Sequence, residues 1–105
     1  MVSQADKKHF KAIAHHLKPV VTIAGNGLSD SVVKEVERAL ADHELIKIRV
    51  SAGDREARRE IIDAACSTTA ATLVQTIGNI AVLYKAAEKP NPALSNILRS
   101  NVLPS

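Results

Sequence analysis

Gly25 and Gly27, two of the chain's four glycines, fall in the stretch "IAGNGLSD", between a run of branched apolar residues and the start of an amphipathic one. A glycine-rich segment in that position can turn the chain, cradle the phosphates of a nucleotide, or clamp a sugar-phosphate backbone. The nucleotide reading fails on spacing. A dinucleotide loop needs G-x-G-x-x-G, and here Asp30 stands where the third glycine belongs and would repel a pyrophosphate. The phosphate-loop pattern G-x-x-x-x-G-K-[ST] is also absent. A plain turn and a backbone clamp stay open, the clamp being amide N–H groups beside the positive end of a helix.

Other residues capable of chemistry do not assemble into a site. His15 and His16 are adjacent, so on a helix they point about 100° apart and cannot share one metal ion easily. Cys66 is the only cysteine; it belongs to no C-x-x-C pair, forms no intrachain disulfide, and reads as an inert core residue in a reducing compartment. Serines occur without a G-x-S-x-G elbow or an evident base. These patterns predict no enzyme, no metal, no cofactor and no small-molecule substrate.

Charge is more informative in its distribution than in its sum of +3. Lys7, Lys8, Lys11 and Lys18 face only Asp6 in the first eighteen positions, and Lys47, Arg49, Arg55, Arg58 and Arg59 outnumber Asp54 and Glu56 in the second basic stretch. Between them, residues 30–46 are acidic. Basic segments that converge in space would make a patch suited to a polyanion. Base stacking is not how such a patch would work, because Phe10 and Tyr84 are the only aromatic residues besides the histidines.

The elements that must position these residues can be read from periodicity. At 105 residues and 46% apolar, the chain is one small domain. Residues 4–17 repeat at helical spacing through Phe10, Ile13, Ala14 and Leu17, with Pro19 as terminator. Val20 to Ala24 is a β-branched strand. Ser29 or Asp30 caps a helix carrying Val32, Val33, Val36, Ala39 and Leu40 inward. Leu45 to Val50 alternates, placing Ile46, Ile48 and Val50 on one face and Lys47 and Arg49 on a basic one. Asp54 caps a third helix to about Ser67, whose Arg55, Arg58 and Arg59 read as a solvated face. Strands at 72–77 and 80–85, joined only by Gly78 and Asn79, form a hairpin. The order αβαβαββ predicts an α+β fold, an α/β two-layer arrangement in which a mixed four-stranded sheet is packed with helices. Residues 1–86 make the domain; 87–105 form a tail, either disordered or a short helix through Leu94, Ile97, Leu98 and Val102.

Three stretches carry a family resemblance: "AHHLKPVVTIAGNGLS" from Ala14, "HELIKIRV" from His43 and "IGNIAVLYK" from Ile77. In that order they resemble the signature segments of the CRM family, the chloroplast RNA splicing and ribosome maturation domains, which occur in bacteria as small stand-alone proteins of the YhbY type. The resemblance implies an RNA-binding domain similar in fold to the C-terminal domain of translation initiation factor three. It also implies ribosomal RNA in large-subunit precursors as the partner. The family's G-x-x-G loop falls on Ala24, Gly25, Asn26 and Gly27, with alanine in place of the first glycine. The matching flanking positions are Lys18 and Lys85. Two further departures are Asn79, where a basic residue is common, and Lys85, where arginine is common; lysine keeps the charge but lacks the bidentate fork.

The expected RNA surface is therefore the main chain from Gly25 to Leu28, with Ala24, Lys18, Lys47, Arg49, Lys85, Lys7, Lys8 and Lys11 around it. Alanine disfavours positive φ, so Ala24 is expected to be an extended strand end, leaving positive φ to Gly25 and Gly27. The protein is expected to be cytoplasmic, monomeric and free of membrane contact: its first ten residues, "MVSQADKKHF", lack a signal-peptide core, and no apolar run approaches a membrane span. The alternative is a protein-interaction module, docking through Leu94 to Leu103 or through an open sheet edge.

Overall fold

Alternation in "LIKIRVS" makes β2 (Leu45–Ser51) the strand around which everything else packs. The computed structural model describes residues 2–101. In it β1 (Pro19–Ala24) runs parallel to β2, with Val21 beside Ile48 and Ala24 beside Ser51. On the other flank lies the antiparallel β4 (Ile80–Tyr84), paired Leu45 to Tyr84 and Arg49 to Ile80; β3 (Thr72–Ile77) completes the sheet beyond it. The strand order is β1-β2-β4-β3, a mixed four-stranded α+β sheet. Gly78 turns the hairpin at φ 58°, the positive value that the first position of a two-residue hairpin loop of this kind requires.

Both faces are covered, though unequally. α2 (Asp30–His43) and α3 (Arg55–Thr69) pack on the face of Ile46, Ile48 and Val50, burying Val36, Leu40 and Ile62 against Ile23 and Leu83. Burying each of these side chains contributes about 2 to 3 kcal/mol. α1 (Gln4–Ala14) lies on the opposite face and covers only one end of it, seating Phe10, Ile13 and Ala14 on Leu45, Val74 and Val82. The helices begin where local chemistry starts them. Ser3 and Asp6 form a capping box on α1, the Ser29 hydroxyl caps α2 at Val32 N (3.2 Å), and the Asp54 carboxylate caps α3 at Ala57 N (2.7 Å).

The ends depart from expectation by a few residues. α1 stops at Ala14 rather than Leu17, because tighter turns at His16 and Leu17 leave the Leu17 carbonyl free to accept from Lys47 Nζ at 3.1 Å. β4 stops at Tyr84: the Lys85 amide still reaches the Glu44 carbonyl at 3.0 Å, but Glu44, at φ 61°, is no longer extended and the pairing goes no further. α3 runs on to Thr69, whose hydroxyl donates to the Ala65 carbonyl at 2.7 Å, and closes with Ala70 in the left-handed region at φ 60°, ψ 32°. Glycine carries no Cβ penalty there, so Ala70→Gly should stabilise the domain by about 0.5 to 1 kcal/mol, seen as a higher urea midpoint with an unchanged slope. An unchanged or lower midpoint would count against the strain at this cap.

Residues 86–101 fold back in successive turns and form no helix. Ser95 is fully buried, and Ile97 packs beside the α1 cluster; Val102 and Leu103 lie outside the described residues. No described helix is long and apolar enough to cross a membrane.

Candidate nucleic-acid interface

The loop after β1 divides its duties between its two glycines. Ala24 ends the strand with no positive φ, as alanine prefers, and its carbonyl accepts from Gly27 N at 2.9 Å to close a tight turn. Gly27 then takes φ 88°. Gly25 has no positive φ; it is required by proximity, since a Cβ there would lie 3.1 Å from the Ser51 carbonyl oxygen. The expected clamp is therefore smaller than four amides. Gly27 N–H is occupied within the turn, whereas among the described residues no acceptor meets the amides of Asn26 or Leu28. Behind the loop, α2 presents its N-terminus, capped by Ser29.

The basic residues separate into two groups. Arg49 is exposed on β2 opposite Thr22, on the part of the sheet face that α1 leaves bare, and by strand spacing its Cα lies about 8 Å from that of Ala24. Lys47, two residues back on the same face, meets α1: Lys11, His15, Lys47, Gln75 and Ile77 are among the residues lining a cleft of about 350 Å³ between that helix and the sheet. Lys7 precedes Lys11 by one turn on the same strip of α1, and Lys8 is exposed on the same helix. Lys18 and Lys85 stand elsewhere. Lys18 precedes β1 and Lys85 follows β4, so both lie at the end of the sheet away from the glycine loop, a six-residue strand or about 20 Å distant.

The basic face read from the alternation of β2 is thus only half open. Leu45 shares it and is sealed by α1, and Lys47 is itself half-buried and bonded to Leu17. Periodicity reports which face a residue takes but not which helix covers that face. His15, Gln75 and Ile77 were not among the expected site residues; only the four-residue spacing of His15 from Lys11 hints at its place. Phe10 and Tyr84 stack on each other, with ring centroids 4.5 Å apart, so both aromatic rings are engaged in the α1 packing. Cys66 is half-buried beside the larger core; burial, assisted by Asp63, pushes its thiol up to about 11, which keeps it protonated and unreactive near neutrality.

One signature residue has a structural task that the motif alone does not reveal. Glu44, in "HELIK", is buried with φ 61°, and its carboxylate accepts from Ser95 Oγ at 2.7 Å and from Ala87 N at 2.9 Å. Around it, Asn96 Nδ2 donates to the Leu45 carbonyl and Asn96 N to that of His43. The segment "HEL" is the receptor that holds residues 87–96 in place.

Comparison with known proteins agrees with this architecture. The model of the CRS1 / YhbY (CRM) domain matches residues 2–85. A protein of Pseudomonas aeruginosa named "Probable RNA-binding protein" is 49% identical over 98 residues, covering 93% of this chain and 94% of the relative. A Haemophilus influenzae protein named "RNA-binding protein" is 49% identical over 88 residues, 84% and 89% of the two chains. The solution structure of a hypothetical protein from Staphylococcus aureus superposes with a TM-score of 0.76 at 25% identity, over 90% of this chain and 98% of that one. A family match across four-fifths of the sequence, with relatives aligned almost end to end, places this chain in the CRS1/YhbY (CRM) domain family.

Proposed function

We propose that the protein binds RNA through its phosphate backbone and assists assembly of the large ribosomal subunit by contacting ribosomal RNA in its precursors. One observation carries the reading: Lys11 of α1 and Lys47 of β2 line one cleft, and the register of β2 sets exposed Arg49 next along the same face, toward the glycine loop, so that the basic groups form one line from the edge of α1 to the bare half of the sheet. A sugar-phosphate chain along this track meets ammonium and guanidinium groups first and then the amides of Asn26 and Leu28, where Gly25 and Gly27 keep side chains out of the way. With both aromatic rings stacked on each other, base recognition by stacking has no platform, and sequence preference is low. Lys7 and Lys8 extend the field along α1. Lys18 and Lys85 act at longer range, from the other end of the sheet.

The test is the salt dependence of binding to a duplex-containing hairpin of large-subunit ribosomal RNA. Affinity should fall by roughly 0.7 to 0.9 log units per contacted phosphate for each decade of salt. A curve flat in salt would overturn the mechanism. In lysates, co-sedimentation with immature large-subunit particles that is lost on RNase treatment is expected; co-sedimentation with a nuclease-resistant complex would favour protein docking instead.

A further inference from the structure

α3 sorts its charges by face. At 100° per residue, Arg55, Arg58 and Arg59 fall on the strip that leads to buried Ile62, whereas Glu56, Glu60 and Asp63 fall roughly 100° around the helix. A merely solvated helix has no reason to segregate them. The arginine strip also has an opposing wall: with Ile62 it lines one side of a cleft of about 100 Å³, and Thr76 and Gly78 of the β3–β4 hairpin line the other. Nothing lies within 4 Å of where a Gly78 Cβ would stand, so the turn offers bare backbone to an incoming group. Arg59 Nε holds Asp63 at 3.2 Å in an exposed pair of the kind that dissociates readily. Among the described residues, Arg55 and Arg58 have no salt-bridge partner.

We infer that this cleft is a second phosphate-contact site for the RNA proposed above, on which it rests. Its guanidinium groups take phosphate oxygens in pairs, and the hairpin turn admits the sugar-phosphate chain. The position restricts the ligand. Both the cleft and the glycine loop lie at the end of the sheet where β1 and β2 finish, because the hairpin turn reaches that end through the Asn79 carbonyl on Val50 N, at 2.8 Å. The loop and the hairpin stand on opposite flanks, however, about 14 Å apart across the strand order β1-β2-β4-β3, and the track of Lys11, Lys47 and Arg49 that leads to the loop lies on the α1 face whereas the cleft lies on the α3 face. An RNA that fills both must pass over the end of the sheet, which suits a folded RNA presenting two backbone segments better than one strand lying along a single face.

The experiment compares salt titrations of the same ribosomal RNA hairpin for the wild-type chain, for R55Q/R58Q/R59Q, and for the charge-matched control K34Q/R38Q/K89Q. The arginine variant should lower the steepness of log affinity against log salt by about 2, and lower affinity at least tenfold, while the control changes the slope by less than about 0.5. A slope and affinity equal to wild type, or an equal loss in the control, would overturn the second site and leave the RNA-binding reading standing. A wild-type curve flat in salt would overturn both. Should the triple variant fail to fold by circular dichroism, R55Q/R59Q, which alters only exposed side chains, decides the matter by the same criteria with a slope change of about 1 to 2.

Discussion

Glu44→Ala should lower the stability of the domain by about 3 kcal/mol, a large part of the 5 to 15 kcal/mol that holds a chain of this size together. The carboxylate accepts from two groups, the Ser95 hydroxyl and the Ala87 amide, neither of which has another acceptor among the described residues, and Ser95 has no access to solvent. Each group left without a partner costs about 1 to 3 kcal/mol. Alanine also keeps the backbone strain, because Glu44 sits at φ 61°, ψ −49°. Glycine removes that strain while losing the same two hydrogen bonds, so Glu44→Gly should be the milder change, and Glu44→Gln, which keeps one acceptor oxygen, should lose least. Urea unfolding of the three variants checks the order. Hydrogen exchange at Ala87 and Asn96 should accelerate in each. An alanine variant as stable as wild type would mean that residues 87–96 are held by other contacts.

Reversal of Lys11 and Arg49 to glutamate together should weaken RNA binding about a hundredfold, roughly tenfold for each, at constant salt. Both carboxylates would project over the cationic track, and neither wild-type side chain makes a hydrogen bond on which the fold depends. Lys47 is a poorer test because its ammonium also anchors Leu17, so its loss would mix binding with the docking of α1. Lys18→Glu with Lys85→Glu supplies the comparison: equal net charge, placed about 20 Å from the glycine loop by the length of β1. Filter binding of the two double variants should separate them by about tenfold. Equal losses would show that only the overall potential matters, and would remove the track from the mechanism.

Much of this architecture is legible in the sequence because its causes are local. Ser29 and Asp54 announce helix starts, Gly78 with Asn79 announces a hairpin, and the alternation in β2 sorts its residues between the two faces of the sheet. Even the alanine at position 24 is informative: its reluctance to take positive φ leaves that conformation to Gly27. What could not be read are the relations between distant segments. Glu44 meets Ser95 fifty-one positions later. The face chosen by α1 decides whether Lys47 is open, and the hairpin alone turns the spacing of Arg55, Arg58 and Arg59 into a cleft. Lys18 and Lys85 matched family positions, yet a one-dimensional match carries no distance, and strand direction carries both away from the loop.

The register shifts in the two outer strands affect how this protein meets its own copies. β1 and β3 are the sheet's free margins, and a straight, apolar margin is a template on which a neighbouring molecule can add a strand. β1 opens with Pro19, which has no amide hydrogen to offer, and its pairing slips between Pro19 and Val21; β3 slips between Leu73 and Gln75. Each interruption breaks the even ladder of donors and acceptors that intermolecular pairing needs. On both margins, beside exposed Val20 and Ile77, the backbone itself thus opposes the addition of a further strand.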